Sequence, residues 1–283
     1  MTDISPGLRA ATLLERHGFQ TAHALGQNFL LDEGLLAHLI ELSGVEAKDD
    51  VLEIGPGPGV MTALLARRAR SVTAVEIDRR LEPVLDAMLE KSPNARVIYA
   101  DALKADLGAL TPPRARVVAN LPYYITADVI ERLLLCGAGF QSIAVMVQKE
   151  AAERLTSQPG DKAWCRLAAL VRYFGQPRVL MEIPPEAFAP SPHVFSAFLR
   201  IDLYAQKPVQ PHDEALFLRV LAAAFAMRRK TLQNNLRAAF SISAQQASAA
   251  LARAGLDERV RGEAVPLGDL ARLADALEAG LRA

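Results

Sequence analysis

The 283-residue chain contains only two cysteines, Cys136 and Cys165. They lie far apart and outside any metal-ligand spacing. This excludes a disulfide framework and fits a reducing compartment. An excess of charge is missing as well, since 32 Lys and Arg balance 32 Asp and Glu. No global field then draws a nucleic acid, and any such partner must be met by a local basic patch. No apolar run approaches the eighteen or so residues that cross a bilayer, and the N-terminus lacks the apolar core of a secretion signal. A soluble, cytoplasmic protein without a membrane partner is expected. His17, His23, His38, His193 and His212 form no metal spacing and stand beside no nucleophile candidate. Neither a metal centre nor a hydrolytic triad is expected. Repeats and low-complexity tracts are absent. The 51% of hydrophobic residues are enough for one large or two modest domains.

The most informative stretch is Val51-Leu52-Glu53-Ile54-Gly55-Pro56-Gly57-Pro58-Gly59. A short apolar run, three alternating glycines and the helical pattern Val60–Arg68 spell strand, tight turn, helix, which opens a doubly wound α/β domain. A helix N-terminus then points its free N–H groups at the turn. The spacing G-x-G-x-G departs from the dinucleotide pattern G-x-G-x-x-G and disfavours an NAD dehydrogenase. A tighter loop built on Gly55 and Gly57 suits a nucleoside without pyrophosphate, such as S-adenosylmethionine. Glu76 closes the next strand, Ser71–Ile77, where a carboxylate is placed to accept both ribose hydroxyls. Asp101 follows the strand Ala95–Tyr99 and is placed to accept from an adenine amino group. Any one of these acids alone reads better as a solvated loop residue; three polar stations in order favour a site.

The remaining chain divides at Pro208–Pro211. Before it, a helix over Ser5–Gly18 and a helix Glu33–Ser43 capped by Asp32 precede the alternating core. Phe29-Leu30 is placed as the hydrophobic staple of that second helix, and Gln27 and Asn28 are left to contact a ligand. The core continues with helix Leu81–Leu89, strand Ala115–Ala119, helix Ala127–Leu135, strand Ser142–Gln148 and helix Lys149–Leu155. Strands are expected at Leu167–Phe174 and Val179–Ile183, then an extended proline loop Phe188–Val194 and a last strand Phe195–Leu203. After the linker only helices are expected: Asp213–Met227, Leu232–Phe240, one opened by a Ser243/Gln246 capping box, and Leu267–Leu281.

Asn120-Leu121-Pro122-Tyr123 falls at the C-terminal end of a strand, where open α/β sheets place their sites. Methyl transfer to an exocyclic base amine needs acceptors on its N–H groups, because the lone pair is delocalised into the ring. The Asn120 oxygen and a backbone carbonyl directed by Pro122 supply them as charge develops on the nitrogen. Tyr123 can stack on a flipped base. The competing reading is a proline turn with a core aromatic, and the position after the fourth strand tips the balance. Phe188 is a second candidate stacking surface, although a lone aromatic is more often core. Arg228-Arg229-Lys230 forms a cationic cluster between helices, suited to phosphate. Lys149, Arg154, Arg166 and Arg172 are candidates to extend it.

These motifs resemble the ribosomal RNA adenine N6,N6-dimethyltransferase family, over nearly the whole chain. The likeness rests on Gly26-Gln27-Asn28-Phe29-Leu30, Glu53-Ile54-Gly55-Pro56-Gly57, Glu76, Asp101 and Asn120-Leu121-Pro122-Tyr123. It is extended by Gln148-Lys149-Glu150, Ala152-Glu153-Arg154-Leu155, Phe188-x-Pro190-x-Pro192-x-Val194 and Arg228-Arg229-Lys230-Thr231-Leu232. The resemblance implies a Rossmann-like class I S-adenosylmethionine-dependent methyltransferase domain over residues 1–207, with an N-terminal helical arm. Residues 208–283 would form a small helical domain contacting RNA. It implies that Asn28, Leu30, Gly55, Glu76, Asp101 and Asn120 contact S-adenosylmethionine, that Asn120, the Leu121 carbonyl and Tyr123 hold the target adenine, and that Phe188 stacks nearby. The implied substrate is two adjacent adenines near the 3′ end of 16S rRNA in the immature small subunit. The alternatives are a large-subunit rRNA methyltransferase and an assembly-checkpoint RNA-binding factor. His23 and Ala24, Trp164-Cys165, His193 and Phe195 depart from the family's pattern.

Overall fold

The computed structural model describes residues 5–21 and 26–281. His23, and the Ala24-Leu25 pair preceding Gly26, lie outside the described residues. Contacts divide the chain into two units, residues 1–152 with 177–203 and residues 153–176 with 204–283. The helical unit therefore begins just after Leu203 rather than at 208, and also takes in an earlier segment.

In the first unit, α1 (Pro6–Arg16) precedes β1 (Phe29–Leu30) and α2 (Glu33–Ser43). Asp32 caps α2 by accepting from the Leu35 N–H at 2.9 Å. Phe29 and Leu30 are ordered by pairing as well as packing, because β1 runs antiparallel to a second two-residue strand at 188–189. The nucleotide-type unit follows as β2 (Asp50–Ile54), α3 (Val60–Arg68), β3 (Ser71–Glu76), α4 (Glu82–Leu89), β4 (Ala95–Tyr99) and β5 (Arg116–Asn120). Next come α5 (Thr126–Leu135), β6 (Ser142–Gln148) and α6 (Lys149–Thr156).

β2 is buried at every position, as expected of a parallel strand covered on both faces, which must read as a near-continuous apolar run. Its polar first residue, Asp50, is accommodated by Arg70 and by Ser71 Oγ at 2.6 Å. Burial raises the cost of charging this carboxyl, but the Arg70 guanidinium is the larger influence and holds its pKa below the usual range.

Helix α7 (Arg166–Phe174) occupies the stretch where the sequence pattern predicts a strand, Leu167–Phe174, and corrects that expectation. The run carries Leu, Val, Tyr and Phe and stops at Gly175, which imitates a short buried strand. Its Ala and Leu positions are strong helix formers, however, and Ala169 and Tyr173, four apart, both enter the core of the helical unit. The last strands are β7 (Gly175–Ile183), β8 (Phe188–Ala189) and β9 (Ser196–Leu203).

The seven-stranded sheet has the order β4-β3-β2-β5-β6-β9-β7. β2 to β6 are parallel and β9 is antiparallel to β6, with Val145 opposite Leu199. The order reverses between β2 and β5, which opens a crevice at their carboxyl ends.

In the helical unit, α8 (Glu214–Ala224), α9 (Leu232–Phe240), α10 (Ala244–Arg253) and α11 (Leu267–Leu281) pack around Phe217, Leu221, Leu236, Leu251 and Leu273. The Ser243/Gln246 capping box is formed, with bonds of 3.2 and 2.9 Å. Among the described residues no helix is long and apolar enough to cross a membrane.

Candidate active site

A cavity of about 300 Å³ opens at the carboxyl ends of β2, β3 and β5. Its volume lies at the lower end of the range for small-molecule sites, about 300–1,000 Å³. Asn28, Leu30, Gly55, Gly57, Glu76, Asp101, Asn120, Leu121, Pro122, Tyr123 and Phe188 all line it. The sheet topology thus brings together residues from six segments of the chain. Arg228, Arg229 and Lys230 do not line this cavity. They are exposed between α8 and α9 in the helical unit.

The loop after β2 closes through a Gly59 N–H to Pro56 carbonyl bond of 3.0 Å. Gly57 has φ +55, and a Cβ there would stand 3.0 Å from two ring atoms of Phe29. A glycine is favoured on both counts, since the left-handed region penalises other residues and a Cβ would press on the ring. α3 starts at this loop with no side-chain cap, so its first N–H groups remain turned to the cavity.

Glu76 is buried, and each carboxylate oxygen accepts a main-chain N–H, Oε2 from Gly57 at 3.2 Å and Oε1 from Asp78 at 2.8 Å. Burial raises its pKa, and these N–H donors oppose the shift. An ionised carboxylate has about four acceptor positions, so two bonds leave capacity for ligand hydroxyls. Asp78 in turn accepts from Gln27 Nε2 at 2.9 Å, which ties the segment before β1 to the end of β3. Its pKa is lowered first by Arg80 and further by Gln27.

Glu53 is the unexpected member. In the sequence it stands out only as part of the motif, yet it is 1% exposed and lines the same cavity. Desolvation pushes its pKa up to about 8, and the neighbouring Glu76 charge adds to the rise. The nearby Thr62 hydroxyl favours the ionised form. Even so, neither Thr62 Oγ1 nor Glu53 Oε2 makes a hydrogen bond of normal geometry. A polar residue inside a run that is otherwise Val, Leu and Ile was the available signal.

Asp101 Oδ1 accepts from the Leu103 N–H at 2.9 Å, and Lys104 lies 3.2 Å away. Both hold its pKa below the ordinary range, the N–H more strongly.

Asn120 ends β5, and its Nδ2 donates to the Asn28 carbonyl at 3.2 Å. The amide oxygen is thereby left as the acceptor. Pro122 follows with φ −56 and ψ 132 and starts a single 3-10 turn, Tyr123–Ile125. Tyr123 is half-buried, and its hydroxyl lies 2.7 Å from Ser196 Oγ at the start of β9. Phe188 is 5% exposed, pairs with Leu30 and belongs to the core of the first unit, so it forms a wall rather than an open face.

Two of the cations considered as extensions of the basic cluster are engaged elsewhere. Lys149 pairs with Glu182 at 2.9 Å, and Arg172 Nε donates to the Ser157 carbonyl at 2.6 Å. Arg228 itself meets Glu263 at 3.1 Å.

Residues 18–278 match the family described as ribosomal RNA adenine dimethylase. A protein of Shouchella clausii, "Ribosomal RNA small subunit methyltransferase A", is 41% identical over 99% of this chain and 97% of its own. One of Streptococcus thermophilus with the same name is 41% identical over 95% and 96%. Among solved structures, the 23S rRNA methyltransferase ErmE superposes with a TM-score of 0.66 at 28% identity, covering 89% of this chain and 100% of its own. A dimethyladenosine transferase from Plasmodium falciparum reaches a TM-score of 0.73 at 24% identity, over 85% and 94%, and shares the fold.

Proposed function

The chain belongs to the ribosomal RNA adenine dimethylase family, and from that membership we infer that it dimethylates N6 of two adjacent adenines near the 3′ end of 16S rRNA. It is an enzyme, an rRNA adenine dimethyltransferase. The substrate on this reading is the hairpin within the immature small subunit, and the methyl donor is S-adenosylmethionine. The sulfonium of that donor supplies a methyl group already activated for transfer, so the protein needs no covalent intermediate.

The residues fit such a nucleoside. Glu76, held from behind by two main-chain N–H groups, accepts from the ribose hydroxyls. Asp101, kept ionised by the Leu103 N–H and Lys104, accepts from the adenine amino group. The bare backbone at Gly55 and Gly57 and the open start of α3 face the amino-acid tail, and Asn28 and Leu30 close the other side.

The Asn120 amide carries the reading. Its nitrogen is spent on the Asn28 carbonyl, so Oδ1 and the Leu121 carbonyl are the two acceptors offered to the target amine. Fixed acceptors favour a pyramidal, nucleophilic nitrogen and stabilise the positive charge that develops on it. The proton becomes acidic once the nitrogen is alkylated, so a neutral Asn suffices. Tyr123 presents a ring against the flipped base, and Phe188 walls the pocket. Arg228, Arg229 and Lys230 in the helical unit contact phosphate.

The test supplies labelled S-adenosylmethionine with unmodified small and large subunits to the purified protein and maps the modified nucleotides. Label on adjacent 16S adenines is expected. Label confined to large-subunit RNA, or none, overturns the reading.

A further inference from the structure

Tyr123 and Tyr124 follow one another in the 3-10 turn Tyr123–Ile125, where successive side chains leave about 120° apart. They have different surroundings. Tyr123 is half-buried and its hydroxyl meets Ser196. Tyr124 also lines the cavity, yet it is 61% exposed. Its ring lies close to Gly26: a Cβ built there would stand 3.3 Å from Tyr124 Cδ1 and 3.4 Å from Pro122 Cβ. Gly26, with φ +57, thus lets the segment before β1 back the ring closely while the rest of the ring faces outward.

A large aromatic ring supported by neighbours at a cavity mouth, and otherwise left in water, offers a contact surface. The cavity's other aromatic rings cannot serve in its place, and Phe29 among them is buried. Phe188 is enclosed, and Tyr123 is directed inward. An adenine turned into the cavity leaves the next base without its stacking partner. Single-stranded RNA is held chiefly by stacking such bases on aromatic rings.

We propose that the Tyr124 ring is a stacking platform for the base adjacent to the target adenine, holding that base at the mouth while its neighbour is inside. This rests on the rRNA dimethylation reading above and extends it with a positioning residue. Where both adjacent bases are adenines, the base parked on Tyr124 is the next acceptor, kept in reach for the following transfer.

The test uses small subunits reconstituted with 16S rRNA carrying 2-aminopurine at one or the other of the two adenines. This base has no N6 amine, so the remaining adenine is the target and the fluorescent base is its neighbour. The full chain is added with S-adenosylhomocysteine. In at least one of the two substrates, wild type is expected to quench the fluorescence several-fold, Tyr124→Phe to keep the quench and Tyr124→Ala to lose it. Tyr124→Ala should also raise KM for unmodified subunits by about 5- to 100-fold, the value of one base–aromatic stack, with a smaller change in kcat. Equal quenching by wild type and Tyr124→Ala in both substrates overturns the proposal, and so does a bright neighbour in both wild-type complexes. If wild type methylates no unmodified subunit, the rRNA reading itself has failed, and that assay is separate from the fluorescence.

Discussion

Asn120 Nδ2 donates to the main-chain oxygen of Asn28 at 3.2 Å, joining residues 92 positions apart in the sequence. The bond fixes which end of the amide is offered to a ligand. Asn120→Ala is expected to lower methyl transfer to rRNA by about 10²–10³-fold, the usual cost of removing one group aimed at developing charge. The fold should persist, since a single partly exposed hydrogen bond is worth about 1 kcal/mol. Single-turnover methylation together with the thermal midpoint checks this; wild-type rates from the variant would remove Asn120 from the chemistry.

Gly57→Ala places a methyl group 3.0 Å from the Phe29 ring at a φ of +55. The left-handed conformation alone costs about 1–2 kcal/mol, and Phe29 must move as well. Both disturbances occur where the nucleoside is expected to sit. Calorimetry should show affinity for S-adenosylmethionine falling at least tenfold, against a modest drop in thermal stability. Unchanged affinity would mean that the loop does not approach the ligand.

The protonation of Glu53 sets a pH dependence. Its pKa rises from 4.5 to about 8 in the folded chain because burial disfavours the charge. Between those values the native state holds a proton that the unfolded chain has released, so stability falls as pH rises and levels off above about 8. Glu53→Gln is expected to flatten this slope and to gain a few kcal/mol above pH 8, by the rule of about 1.4 kcal/mol per unit. Glu76, also raised by burial, should leave a residual slope of the same sign. Denaturant melts of the unliganded protein at a series of pH values test this, and an unaltered slope in the variant would refute it.

Arg229→Gln and Lys230→Gln should each reduce the slope of log affinity for rRNA against log salt by about one or less. Arg228 is partly neutralised by Glu263, so its replacement should change the slope least. Identical slopes for all three variants and wild type would mean that these cations face only solvent.

The strand-loop-helix of β2 and α3 was legible because its apolar run and alternating glycines have few other uses. Likewise, Glu76, Asp101 and Asn120 could be placed at a common edge because each follows its own strand. The strand expected at Leu167–Phe174 failed because a mostly apolar segment of eight residues satisfies both periods, and only packing in the helical unit decides between them. The pairing of Phe29 and Leu30 with Ala189 and Phe188 left no pattern, since two residues carry no periodicity. The Gln27–Asp78 bond was equally hidden, because neither residue is unusual in a loop and only the fold brings them together. Glu53 was visible as a letter, but its burial against Glu76 depends on the depth of β2 within the sheet.

The β1–β8 ribbon has a consequence for how the protein is made. Leu30 and Phe188 are opposite one another and both border the ligand chamber. A ribosome translating this message therefore completes that boundary only after Phe188 has left the exit tunnel, long after the glycine loop. Nascent chains lack the Phe188 side of the chamber until about two-thirds of the polypeptide has been made, although its other lining residues lie between Gly26 and Ile125.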